Sequence, residues 1–183
     1  QHNVRQTFDG LVKVGLLSRH VLTVLRPSRG MARTSRATVM TTTIERTVTT
    51  TTSPDTVFAY LADFRNAEHW DSGTTSCELI SGDGGPGTVY RNVSEFAGTT
   101  VALEYTTQTV EQPTFVITGR NETTTSHDTI TVTPHGPNGS SVHYRAEFTF
   151  TGLTRFAAPL MKPLLDRLGD RTAEQLKSRV DRL

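Results

Sequence analysis

From residue 73 to residue 152 the chain reads as six strand-length segments separated by connections too short for anything but hairpins. The turn signals are Gly82 to Gly87, Ala97-Gly98, Gln112-Pro113, Asn121 to Ser126 and Pro134 to Gly139. They predict strands at about 74–82, 87–96, 99–111, 114–121, 126–134 and 140–151. Parallel neighbours would need crossovers of about a dozen residues, so consecutive strands must pair antiparallel. The abundance of Thr fits this reading, because its branched Cβ suits a half-buried pleated surface.

A seventh strand precedes these six. Thr42 to Thr52 alternates Ile44, Arg46 and Val48 against Thr43, Glu45 and Thr47, with the period of two that a strand requires. Ser53-Pro54-Asp55 then offers an N-cap followed by Pro at the first helical position. Val57, Phe58, Leu61 and Phe64 give the helix after it one apolar face, and Asn66 to Trp70 predicts a second short helical turn.

In the last strand Val142, Tyr144, Ala146, Phe148 and Phe150 oppose His143, Arg145, Glu147 and Thr149. One face of the sheet is dry and needs a cover. The C-terminal segment supplies it: Leu153, Phe156, Ala157, Leu160, Leu164, Leu168, Leu176, Val180 and Leu183 recur at helical spacing, while Arg167, Asp170, Arg171, Lys177 and Arg179 face water. Pro159 and Pro163 predict an irregular, kinked start to this helix. The expected fold is α+β: a seven-stranded antiparallel sheet around a long C-terminal helix, with two short helices after strand 1, as one domain over residues 42–183.

Charge divides the chain differently. Residues 1–42 hold seven Lys or Arg and one acid, and the remainder holds twelve against seventeen. The domain is mildly acidic, which argues against nucleic acid as a partner, since non-specific affinity comes from neutralising phosphates. Residues 1–41 read as a basic, disordered leader; their composition fits either an organellar presequence or a leader without function. Arg19 and His20 interrupt the apolar stretch from Phe8 to Leu25, so no integral membrane segment is expected there. Cys77 has no possible disulfide partner within the chain, which predicts a cytoplasmic protein. It lies in an alternating strand and reads as a packing residue rather than a nucleophile.

Three stretches carry a resemblance: Ser53-Pro54-Asp55-Thr56-Val57-Phe58-Ala59-Tyr60-Leu61 with Trp70 behind it, Gly87-Thr88-Val89-Tyr90-Arg91, and Val142-His143-Tyr144-Arg145-Ala146-Glu147-Phe148 before the final helix. Together they resemble the START-like (SRPBCC) superfamily, in its bacterial polyketide cyclase/dehydrase and lipid-transport branch. The resemblance implies the helix-grip fold, with a curved sheet and a cavity between sheet and C-terminal helix that takes hydrophobic or amphipathic small molecules. Ligand carriers and polyketide aromatase/cyclases share that fold, and a shared fold does not choose between them.

The hairpin from Thr88 to Glu111 decides which side chains enter such a cavity. A three-residue loop Phe96-Ala97-Gly98, with Gly98 in a bulge, pairs Glu95 with Thr99, Val93 with Val101, Arg91 with Leu103 and Val89 with Tyr105. This register sends Val89, Val93, Leu103 and Tyr105 inward together with Arg91 and Glu95. The last two are then candidates for a ligand anchor or for acid/base chemistry, or a pair whose heads reach solvent. Trp70, Phe115, Ile117, Tyr144, Phe148, Leu160 and Leu164 complete the expected lining. His69, His127, His135 and His143 lack metal-ligand spacing, and Gly82 to Gly87 leads into a strand without the Lys of a phosphate loop, so neither a metal nor a cofactor is expected.

Two functions follow. One is a binding protein for a lipid, polyketide or similar metabolite. The other is a cyclase/dehydratase-type enzyme in which Arg91 steadies an enolate oxygen and Glu95 or a Tyr moves protons.

Overall fold

The computed structural model describes residues 40–152 and 158–183. Residues 1–39 of the leader lie outside the described residues, as do Leu153, Phe156, Ala157 and the side chains of Pro159 and Leu160, whereas Met40 and Thr41 open the first strand. Seven strands, β1 (Met40–Thr50), β2 (Thr74–Ser81), β3 (Val89–Phe96), β4 (Thr99–Glu111), β5 (Thr114–Arg120), β6 (Thr124–His135) and β7 (Gly139–Phe150), form one antiparallel sheet in the order β1-β7-β6-β5-β4-β3-β2. Helix α1 (Pro54–Ala62), a 3-10 turn (Phe64–Asn66) and α2 (Ala67–Trp70) follow β1, and α3 (Ala158–Val180) closes the chain. This is the helix-grip arrangement.

Local chemistry accounts for the entries and exits. Ser53 caps α1, its Oγ accepting from the Thr56 amide at 3.4 Å, with Pro54 at the first helical position. Asp63 starts the 3-10 turn by accepting from the Arg65 amide at 3.2 Å and holds the Arg65 side chain at 2.7 Å. Pro163 lies within α3, which is continuous from Ala158.

The helix is fastened to the sheet along its length. Val180 and Leu176 are buried against it, and Gly169 lies close enough to β1 that an added Cβ would stand 3.3 Å from Ile44 Cδ1. Arg46 on β1 donates to Asp170 Oδ1 at 2.9 Å and to the Asp166 carbonyl at 3.0 Å. Arg179 donates from Nε to the Tyr60 hydroxyl at 2.8 Å, tying α3 to α1. Tyr60 is therefore a structural link.

The β3–β4 register differs from the one expected. The loop is the two-residue pair Ala97-Gly98, both with positive φ (54° and 80°), and Phe96 pairs with Thr99, Ser94 with Val101, Asn92 with Leu103, Arg91 with Glu104 and Tyr90 with Tyr105. A slip of one residue exchanges the faces of β3. Tyr90, Asn92, Ser94 and Phe96 turn inward, while Val89, Arg91 and Val93 turn outward. The expectation failed because β3 carries apolar side chains on both faces, and because Ala is a poor residue for the left-handed first position of so tight a turn.

Candidate functional site

A cavity of about 110 Å³ lies between the inner face of the sheet and α3. Its apolar wall combines Phe64 and Trp70 from the short helical segments, Leu103, Tyr105, Tyr144 and Phe148 from the sheet, and Met161, Leu165 and Leu168 from α3. Ser94, Phe96 and Val101 from the β3–β4 hairpin, with exposed Glu95, form part of its rim. By the scale on which one water needs about 10–15 Å³, the space takes roughly eight waters, or a ring with a short substituent.

The aromatic side chains brace one another. Phe64 lies 4.9 Å from the Tyr105 ring and 5.7 Å from that of Tyr90, and Trp70 meets Tyr144 edge-on at 5.7 Å. Tyr105 crosses β5 at Gly119, its register partner, where a Cβ would stand 2.5 Å from the ring. The gap left by that glycine lets the Tyr105 hydroxyl reach Ser126 and Asp128 on β6.

Asp128 is the chemical centre of this wall. It is 4% exposed and accepts from Ser126 Oγ at 2.6 Å, with the Tyr105 hydroxyl close enough to act on it. Burial raises its carboxyl to about 7, assisted by the nearby Asp71 charge and opposed by the Ser126 and Tyr105 hydrogen bonds. Burial likewise pushes the Tyr105 and Tyr144 hydroxyls well above the ordinary phenol range, with Asp128 adding to both. The Trp70 indole N–H is buried and has no hydrogen-bond partner among the described residues. Folding leaves one carboxyl group buried at the wall of an apolar space.

Asp71 also lines the cavity but is committed to structure. It accepts from Thr74 Oγ1 at 2.7 Å, Thr172 Oγ1 at 2.9 Å and the Gly73 amide at 3.2 Å, joining the end of α2 to β2 and α3.

Of the residues expected at the site, Trp70, Leu103, Tyr105, Tyr144 and Phe148 line the cavity, while Glu95, with the outward parity of Arg91, is exposed at its rim. Val89, Arg91 and Val93 do not, for the register reason above; Arg91 is exposed on the outer face, so its proposed enolate contact is withdrawn. Phe115 and Ile117 point inward but are fully buried in the core away from the cavity wall. Leu164 is only half-buried: the inward stripe of α3 runs through Met161, Leu165, Leu168, Thr172, Leu176 and Val180, one residue out of phase with Leu164. The Leu160 side chain lies outside the described residues.

Asp128 is the residue that the sequence reading passed over. Its parity is that of Ser126, Ile130 and Val132, all buried, so an acid on the dry face was visible in the alternation of β6. Cys77 is buried and burial pushes its thiol up to about 12, keeping it protonated and unreactive. Among the described residues no three His, Cys, Asp or Glu converge to hold a metal, and no helix is long and apolar enough to cross a membrane.

A seven-stranded sheet gripping a C-terminal helix over an apolar cavity defines a START-like helix-grip protein. Residues 41–181 match the family model described as polyketide cyclase / dehydrase and lipid transport, and the chain belongs to that family. Solved structures agree on the fold. A START superfamily protein from Mycobacterium smegmatis is similar at 17% identity and a TM-score of 0.64, over 76% of this chain and 97% of that one. The Zhui aromatase/cyclase from Streptomyces sp. R1128 is similar at 13% identity and a TM-score of 0.67, over 78% and 95%. Norcoclaurine synthase from Thalictrum flavum, in complex with dopamine and hydroxybenzaldehyde, is similar at 17% identity and a TM-score of 0.55, over 87% and 96%. A search of curated protein sequences returns no match.

Proposed function

We propose that this chain binds a small organic molecule with an apolar body and one or two polar groups in the cavity beneath α3. The observation that carries this reading is the pairing of an apolar wall with the buried Asp128 carboxyl. Such pockets, mostly apolar with a few convergent polar groups, are what small-molecule sites require.

The chain contains one Trp, and it lines the cavity, so its fluorescence reports occupancy directly. Iodobenzene, a small neutral quencher, is expected to quench Trp70 saturably. Val101→Phe, which narrows the rim, is expected to weaken that binding about tenfold, equivalent to roughly 1.4 kcal/mol. Quenching that rises linearly without saturation, and equally in both proteins, would remove the binding reading.

A second reading keeps the same cavity and adds turnover, in line with the cyclase and dehydrase members of the family. It is favoured by one observation: a carboxyl near 7 with a Tyr hydroxyl on it has the proton affinity that general acid/base work at neutral pH demands. With a poly-β-ketone thioester mimic as substrate, the expected outcome is a changed product distribution that Asp128→Asn abolishes while iodobenzene quenching persists. Identical products with and without the protein would leave binding alone.

A further inference from the structure

The charged groups described around the cavity are all of one sign. Among the described residues its wall includes Asp71 and Asp128, with exposed Glu95 at the rim, and no Lys, Arg or His. Asp71 already accepts three hydrogen bonds from the protein. Asp128 accepts from Ser126 Oγ, and the groups that act on it include no cation. The titratable groups facing it are Tyr105 from β4, Tyr144 from β7 and Asp71 from the turn after α2, whereas α3 offers Met161, Leu165, Leu168 and Thr172, none of them ionisable.

A carboxylate placed in an apolar wall without a counter-ion favours a ligand that brings one. Opposite charges attract far more strongly in such a medium than in water, and a ligand carboxylate or phosphate would meet two acids on the wall and, among the described residues, no base. The faces of Trp70 and Tyr144 add a weaker attraction for a cation.

We infer that the cavity selects small organic amines, bound as cations with Asp128 as their counter-ion. This rests on the cavity-binding reading above and narrows its ligand class. Pairing with a cation stabilises the ionised carboxylate, so binding below the carboxyl's own titration must release a proton.

The test is calorimetric titration of the full chain with three molecules of matched shape: 2-phenylethylamine, 2-phenylethanol and 3-phenylpropanoate. At about pH 8 the amine is expected to bind at least about tenfold tighter than the alcohol, with the propanoate weakest. At about pH 6 the amine's affinity falls and close to one proton is released per molecule bound, seen as a dependence of the heat on the buffer's ionisation enthalpy, whereas the alcohol releases none. Asp128→Asn is expected to erase the amine's advantage over the alcohol. Alcohol or propanoate binding as tightly as the amine, or an advantage that survives in Asp128→Asn, overturns the inference. Failure of all three while iodobenzene still quenches Trp70 saturably overturns it alone, and failure of iodobenzene as well overturns the cavity reading with it.

Discussion

Asp128→Asn is expected to be more stable than the parent protein at about pH 8 and no more stable at about pH 4, so that the two stability curves cross. An unfolded Asp gives up its proton near 3.8, but the folded carboxyl holds it to about 7. Between those values the unfolded state binds fewer protons than the native state, so stability falls as pH rises through the window and is level above it. Three pH units correspond to about 4 kcal/mol, an order-of-magnitude figure for a fully buried group. The amide retains an acceptor for Ser126 but adds an –NH₂ in need of a partner, which costs about 1–2 kcal/mol at every pH. The net gain at about pH 8 is therefore about 2 kcal/mol, measured by urea unfolding across the range. A difference that stays constant with pH would show that Asp128 is not held neutral in the fold.

Gly119→Ala is expected to cost about 3 kcal/mol of stability, at the upper end of ordinary overpacking. Gly119 has no left-handed backbone to justify it; the residue is needed for space. Its added Cβ would stand 2.5 Å from two Tyr105 ring carbons, in a ring that Phe64 holds from the other side at a centroid distance of 4.9 Å. Tyr105 must therefore rotate away, and its hydroxyl leaves the Asp128 group. A double-mutant cycle with Tyr105→Leu isolates the contact: the second substitution should recover most of the loss, giving a coupling of about 2 kcal/mol. Additive effects would mean that Gly119 acts through the backbone of β5 and not through the Tyr105 ring.

Both predictions concern a cluster assembled from strands that the sequence places correctly but cannot bring together. The single-faced alternation of β7 was legible because Val142, Tyr144, Ala146 and Phe148 share one parity with nothing polar among them. The Ser53-Pro54 start of α1 was legible because capping depends on adjacent residues alone. In β3 the same logic failed. Val89 and Val93 on one face compete with Tyr90 and Phe96 on the other, and only the pairing with β4 decides between them. Arg91 and Glu95 were promoted to site residues by that ambiguity, and Leu164 by a similar one-residue uncertainty of phase on α3.

What the sequence by itself determined is the antiparallel order of hairpins, the amphipathic helix that must cover them, and hence a helix-grip domain with room for an apolar molecule. Periodicity and short connections suffice for that, because they act over a few residues at a time. The tertiary structure alone decided the chemistry inside. Asp128 acquires its proton affinity from burial, against the opposing influence of Ser126 and of Tyr105, whose ring lies across the space left by Gly119, while Trp70 arrives from a separate helical turn with its N–H unsatisfied. Desolvation and hydrogen bonding are properties of the packed neighbourhood, so one acid in a Thr-rich strand becomes a functional group only when four distant segments close around it.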